Sequence, residues 1–385
     1  MSAIDSLPAP SVTIFERMSG LARDLGAINL GQGFPDLPED AALTGAAARA
    51  LTERSNQYPP MRGLPELRSA IAAWYQREQG LGLGIDEVVV TSGGTEALAA
   101  SILALVRPGD EVILVQPLYD AYLPLVQRVG GTARLVSLTP PDWTLPLDDL
   151  AAAITSKTRL LILNTPNNPT GALLDRATLE AVGDLAERHD FFVLCDEVWE
   201  GMLYDGARHV SPLAVPSLRR RAIKVGSAGK IFSLTGWKVG WVVAAPAIAA
   251  AIADRHQFLT FTTATPLQWA AAEGLALPSA WFAAHRARYA AARERLVSGL
   301  TAAGFALLPA QGTWFVIADL AASGLPADDA AVAERLIREA GVASIPVSAL
   351  YAERAEQGYL RLCFAKQDAT LDQAVERLAA FRRAV

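Results

Sequence analysis

At 385 residues, 51% hydrophobic and 19% charged, the chain is long enough for about two or three domains with a large core, and too apolar to be disordered. A net charge of −6 with no basic run makes nucleic acid and anionic membrane poor partners. Two cysteines, Cys195 and Cys363, each inside an apolar run, suit buried thiols of a reducing compartment rather than a disulfide. The histidines His189, His209, His256 and His285 show no metal-ligand spacing, so no metal is expected.

Met1 to Pro10 has neither a basic region nor a long apolar stretch, so no signal peptide is expected. The most apolar run, Trp241 to Ala253, is broken by Pro246 and is too short to span a bilayer. A cytoplasmic protein is the expectation.

Phe15, Met18 and Leu21 predict an amphipathic helix over residues 11–27. Gly31-Gln32-Gly33-Phe34-Pro35-Asp36 predicts a tight loop with exposed amides. Helices are expected from about Pro38 to Leu51 and from Pro65 to Glu78, joined by the rigid loop Asn56-Gln57-Tyr58-Pro59-Pro60. Strands and helices then alternate. Strands are predicted at Val88–Val90, Glu111–Val115, Arg134–Ser137, Arg159–Leu163 and Phe191–Cys195. The helices between them are Glu96–Val106, Tyr119–Val129, Leu147–Ile154 and Arg176–His189. This alternation predicts an α/β fold, a mostly parallel sheet between helices. Apolar runs at Ala222–Val225 and Val239–Ala245 flank Ser227-Ala228-Gly229-Lys230. Beyond Pro278 the pattern changes: a long helix Trp281–Leu300, strands at Ala306–Leu308 and Thr313–Ile317, a helix Asp328–Glu339, a strand Gly358–Phe364 and a helix from Thr370. The expected organisation is an N-terminal arm over 1–39 that joins the small domain, a large domain over 40–277, and a small α+β domain over 278–385.

Ligands on such sheets bind at the carboxyl ends of strands, and several chemically useful residues fall there. Lys230, boxed by small residues, suits an amine that forms a Schiff base with a cofactor aldehyde; a solvated loop lysine is the bland alternative. Ser92-Gly93-Gly94-Thr95 opens a helix and offers amides to a phosphate, although glycine before a helix is ordinary. Asp196 ends a buried strand, where its carboxylate would hold a pyridine nitrogen protonated or simply cap the next turn. Asn168 could donate to a phenolate oxygen or serve turn chemistry before Pro169. Tyr119 offers a flat ring for stacking, or core filling. Leu360, Leu362 and Phe364 share one strand face, so Arg361 points to the other. A substrate carboxylate suits it as a bidentate partner; a structural ion pair is the alternative.

With these residues in place, the chain resembles a class I/II aminotransferase of the pyridoxal phosphate (PLP) fold type I from near residue 12 to the C-terminus. The resemblance rests on Asn164-Thr165-Pro166-Asn167-Asn168-Pro169, Asp196-Glu197-Val198 and Ser227-Ala228-Gly229-Lys230, in the family's order and spacing. Gly31–Asp36 and Gly236-Trp237-Lys238-Val239-Gly240-Trp241 resemble kynurenine/glutamine transaminases, methionine aminotransferases and N-succinyldiaminopimelate aminotransferases. It implies a large domain with a seven-stranded sheet, and ping-pong amino transfer from a neutral or aromatic amino acid to a 2-oxo acid. An N-succinyldiaminopimelate aminotransferase and a carbon–sulfur β-lyase are the alternatives on the same fold.

The resemblance also implies roles. Lys230 carries PLP and shuttles the proton, Asp196 pairs with the pyridine nitrogen, and Asn168 bonds the ring's 3-oxygen. Tyr119 and Val198 sandwich the ring. Ser227, Lys238, Gly94 and Thr95 bind the phosphate, with Tyr58 arriving from the second subunit of a homodimer. Arg361 clamps the substrate carboxylate with Asn168 and Gly33, beside Phe15 and a neighbouring subunit's Phe261. It further implies cis bonds at Gln116–Pro117 and Asn168–Pro169. Trp199 departs from the family's usual tyrosine, and Thr262 stands where some relatives have histidine.

Overall fold

The computed structural model describes residues 12–353 and 357–384; the expectation of no signal peptide over Met1 to Pro10 lies outside the described residues. A seven-stranded sheet holds the strands in the order Val88–Thr91, Gly240–Ala244, Ala222–Ser227, Phe192–Asp196, Thr158–Asn164, Glu111–Gln116 and Thr132–Ser137. Gly240–Ala244 runs antiparallel to both of its neighbours, and the remaining pairings are parallel.

Both faces of this sheet are covered, and the strands show it residue by residue. Ile113, Leu161, Leu163, Val193 and Cys195 pack into one core with Leu67 and Trp74 of the helix Pro65–Gln79. Their neighbours Val112, Leu114, Leu160, Ile162 and Leu194 pack into the opposite core with Leu98 of the helix Gly94–Leu105. Successive side chains of a strand point to opposite faces, so a sheet buried on both sides reads as an unbroken apolar run.

A second, antiparallel sheet runs in the order Ile345–Pro346, Tyr359–Cys363, Phe315–Asp319 and Ala306–Leu308. The helices Ser279–Ala302 and Asp368–Ala384 pack on it through Leu296, Leu300, Leu371 and Leu378. The N-terminal helix Ile14–Asp24 leads into Ile28–Asn29, which pairs in parallel with Val342–Ala343.

Some elements differ from expectation. The stretch from Trp241 splits into the strand Gly240–Ala244 and a helix Pro246–Leu259, and a further helix spans Thr265–Leu275. Neither helix is legible in the sequence, because alanine-rich sequence with few polar residues shows little helical periodicity. Pro246 begins its helix rather than breaking one, since proline suits the first helical turn. The helix expected from Tyr119 begins at Tyr122, after a turn in which the Tyr122 amide donates to the Tyr119 carbonyl. The helix expected over Asp328–Glu339 is Asp329–Arg335, followed by a π-turn at Leu336–Ala340. Gln116–Pro117 and Asn168–Pro169 are cis, as are Pro140–Pro141 and Thr165–Pro166.

Candidate active site

Adjacent strands end level with one another at Asn164 and Asp196, which are register partners. Beyond these ends lies a cavity of about 230 Å³. Lys230 stands on the short helix Ala228–Ile231, directly after the strand Ala222–Ser227. Its ammonium lies 4.6 Å from the Trp199 ring centroid and 5.2 Å from that of Trp314. Desolvation in these apolar surroundings pulls the amine down to about 8. A lysine so poised gives up its proton readily, which a nucleophilic or proton-shuttling amine needs.

Asp196 is buried. Its Oδ2 accepts the Tyr122 hydroxyl at 2.8 Å and its Oδ1 the Val198 amide at 3.3 Å. Burial pushes the carboxyl up to about 6, opposed by the Tyr122 and Val198 hydrogen bonds and the Lys230 charge. Asn164 braces the neighbouring loop: its Nδ2 donates to the Asp196 carbonyl at 2.8 Å, and its Oδ1 accepts the Asn168 amide at 2.7 Å.

At the other end of the cavity Gly93 adopts φ 83° ahead of the helix Gly94–Leu105. A Cβ on Gly93 would stand 3.4 Å from Lys238 Nζ, and one on Gly94 would press on Val198 at 3.1 Å. Lys238 itself has the left-handed φ of 53°, an uncommon conformation for a non-glycine residue that recurs at functional sites. Thr95 and Ser227 line the same end, and the Thr95 hydroxyl meets that of Tyr119 at 3.3 Å.

An adjoining cavity of about 240 Å³ shares Tyr119, Asn168, Trp199 and Lys230 with the first. Arg361, fully buried, faces it. Its guanidinium donates to Asn168 Oδ1 at 2.8 Å and to the Gly31 carbonyl, and lies 3.9 Å from the Phe315 centroid and 4.9 Å from that of Phe15. No carboxylate of the described residues forms an ion pair with it, its Nε has no partner, and desolvation pulls it down to about 10. A buried cation hydrogen-bonded to neutral oxygens suits an anionic partner. Gly33 lines this cavity too, and a Cβ there would strike the Phe315 ring at 2.7 Å.

The structure therefore gathers Lys230, Asp196, Asn168, Tyr119, Val198, Gly94, Thr95, Ser227 and Lys238 around one cavity, and Arg361, Gly33 and Phe15 around the next. Tyr58 and Phe261 lie elsewhere. They pair edge to face at 5.5 Å and are 82% and 42% exposed. Sequence reasoning gave no role to Tyr122 or Asn164. The first lies in the same Tyr119–Tyr122 segment that was read for stacking, the second in the Asn-Pro motif itself, and only the folded register shows what either bonds. Glu197, Glu200 and His209 also converge at metal-like spacing, but the Lys224 ammonium bonds both carboxylates.

A family model described as aminotransferase class I and II matches residues 26–378. The chain belongs to that family. It is 41% identical to the methionine aminotransferase of Escherichia coli over 97% of its own length and 96% of the relative's. It is 35% identical to human kynurenine–oxoglutarate transaminase 1 over 93% of each chain. Its fold superposes on the solved N-succinyldiaminopimelate aminotransferase of Mycobacterium tuberculosis with a TM-score of 0.93 at 40% identity, covering 96% of this chain and 97% of that one. Such an aminotransferase moves an amino group between an amino acid and a 2-oxo acid and uses PLP.

The aminotransferase cavity suits that cofactor group by group. The Lys230 amine would hold its aldehyde, the buried Asp196 carboxylate its ring nitrogen, and the glycine amides with Lys238 its phosphate. When bound, PLP supplies the electron sink that acidifies the substrate α-hydrogen.

Proposed function

We propose that the chain transfers amino groups from neutral or aromatic amino acids of the methionine, glutamine or kynurenine kind, using Lys230 as proton carrier and Arg361 as carboxylate clamp. The carrying observation is the lining of the second cavity. Phe15, Trp199 and Phe315 supply apolar faces, and Arg361 and Lys230 are its two cationic residues. With Arg361 holding the α-carboxylate, no cation among the described residues lining this cavity is left for a second one, and Asp120 on the same wall repels it. An unpaired carboxylate in a desolvated pocket costs several kcal/mol.

In this reading Asn168 turns its Oδ1 to Arg361, fixing the guanidinium plane. Asp196 stays ionised against a ring nitrogen, with Tyr122 holding one oxygen. Lys230 accepts and returns the proton at its Nζ, which desolvation brings down to about 8, closer to neutral pH than an ordinary lysine. A donor screen against several 2-oxo acids tests the substrate reading: methionine, glutamine and aromatic donors are expected to lead, and aspartate as the best donor overturns it.

The exposed Tyr58–Phe261 pair supports a homodimer with shared sites, in which each chain completes its neighbour's cavity. Mixing Tyr58→Phe and Lys230→Ala subunits is then expected to recover wild-type sites; a fully active monomer at micromolar concentration overturns this. The pairing of Ile28–Asn29 with Val342–Ala343 supports reading 1–39 together with 278–385 as one unit beside the large domain at 40–277. Two unpaired, buried cysteines support a cytoplasmic setting.

A further inference from the structure

A carboxylate stands behind the phosphate end of the cavity. Glu96 belongs to the first turn of the helix Gly94–Leu105, and its Oε2 accepts the Ser92 amide at 2.6 Å. That bond braces the turn Ser92-Gly93-Gly94. It also sets a negative charge within one helical turn of the place read above as the seat of a dianion. Left alone, that charge would oppose the ligand.

It is not left alone. Glu96 Oε1 meets His256 Nδ1 at 2.6 Å, and His256 Nε2 meets the Met61 carbonyl at 3.1 Å. The imidazole is fully buried on the helix Pro246–Leu259. A carbonyl oxygen only accepts, and so does an ionised carboxylate, so satisfying both contacts requires both ring nitrogens to donate. The pair then holds a carboxylate against an imidazolium. Were the shared proton on Glu96 instead, His256 would still donate to Met61 and the pair would again sum to zero. Either way the geometry takes up one proton more than a carboxylate beside a neutral ring.

We propose that His256 is a positioning residue that neutralises Glu96, so that the carboxylate braces the glycine turn without repelling the cofactor's phosphate. The proposal rests on reading Gly94, Thr95, Ser227 and Lys238 as the phosphate end. The same histidine reaches the loop that carries Tyr58 through Met61, and its own carbonyl accepts the Phe261 amide at 3.3 Å, so the phosphate turn and the exposed aromatic pair share one anchor.

PLP and pyridoxal differ only in the phosphate, and titrating both against cofactor-stripped full-length protein, followed by absorbance, separates the proposal from general damage. His256→Gln is expected to raise the Kd for PLP about tenfold while pyridoxal stays within about twofold of wild type. Adding Glu96→Gln to it returns PLP affinity toward wild type. Equal weakening of both ligands, an unchanged Kd for PLP, or no recovery in the double variant overturns the proposal. If His256→Gln does not fold, Glu96→Gln alone decides: PLP affinity kept or tightened relative to pyridoxal supports the proposal, and PLP weakened relative to pyridoxal overturns it. A wild-type protein that does not favour PLP over pyridoxal overturns the phosphate reading itself.

Discussion

Asp196 and Glu197 are consecutive buried carboxylates, and Lys224 and Lys230 belong to one strand–helix unit, yet the two carboxylate–lysine sets have opposite electrostatics. Glu197 and Glu200 share the Lys224 ammonium, at 2.6 Å for Glu200, and Glu197 also meets His209 Nε2 and the Ser211 hydroxyl. Tyr75 donates to Glu200 at 2.6 Å and accepts from Trp241 at 2.9 Å. In this closed network Lys224, despite burial, is raised above the ordinary lysine value by Glu197 and Glu200, and Glu197 is lowered below the ordinary carboxylate value, with Lys224 the main opponent of its burial. On the cavity side desolvation wins: Asp196 is pushed up to about 6 and Lys230 pulled down to about 8. The charges of the first set find partners within the chain, whereas the desolvated charges of the second line a cavity that a ligand could enter. Buried groups shifted toward neutrality in a cavity mark chemistry, and those shifted away from it by ion pairing mark scaffold.

The largest effect that separates the two sets is on turnover. Lys230→Ala is expected to reduce transamination to background and to abolish the borohydride-trapped cofactor adduct. An adduct persisting on another lysine removes Lys230 from its role.

Stability separates them in the opposite direction. Lys224→Met leaves two buried carboxylates without their shared cation, a loss of about 3–5 kcal/mol. In the cofactor-free protein Lys230→Met removes a desolvated, incompletely paired charge, and urea unfolding is expected to show equal or greater stability than wild type. Similar losses in both variants would erase the distinction.

The pH dependence sharpens this further. The unfolded chain holds the Lys230 proton up to about 10.5, whereas the cofactor-free folded chain releases it at about 8. Between these values the unfolded state binds more protons, so the unfolding free energy rises with pH. Below about 8 both states are protonated and the penalty is complete. The stability gap between Lys230→Met and wild type is therefore expected to be about 3 kcal/mol near pH 7 and to close toward pH 10.5. A gap that does not depend on pH would place the lysine in a better solvated site than the structure shows.

The cavity set was the more legible of the two in the sequence. Asp196, Lys230 and Arg361 each interrupt an apolar or small-residue pattern, and the interruption itself signals a function. Lys224 interrupts one as well, in Ala222-Ile223-Lys224-Val225, but its partners lie at 197 and 200, and nothing local announces them. Tyr122 was equally hidden, because its role depends on the Asp196 strand ending opposite its own turn. The parallel sheet was readable from its apolar runs, since both faces are buried. The helices Pro246–Leu259 and Thr265–Leu275 were not, because packing rather than periodicity determines them.

The smallest effect lies at the seam between the sets. Along residues 196–200, Asp196, Val198 and Trp199 line the cavity while Glu197 and Glu200 turn back into the network. Trp199 stands where the family usually has a tyrosine whose hydroxyl donates to the cofactor's 3-oxygen. Here the indole packs edge to face on Trp314 at 4.8 Å and on Phe315 at 5.4 Å, with the Lys230 ammonium over its ring. An indole packed in this way would serve as wall, which in the proposed reading would leave the 3-oxygen to Asn168. A donor to that oxygen favours the form in which it carries more charge, the deprotonated imine, and so lowers the imine pKa. One neutral hydrogen bond is worth about 1 kcal/mol, or roughly 0.7 of a pH unit. In a spectrophotometric titration of the PLP-loaded proteins, Trp199→Tyr is therefore expected to move the transition between the protonated and unprotonated bands down by roughly that amount. A transition that stays in place or moves upward would mean that the indole N–H already makes the equivalent contact, and that Trp199 belongs to the cavity's chemistry as well as to its wall.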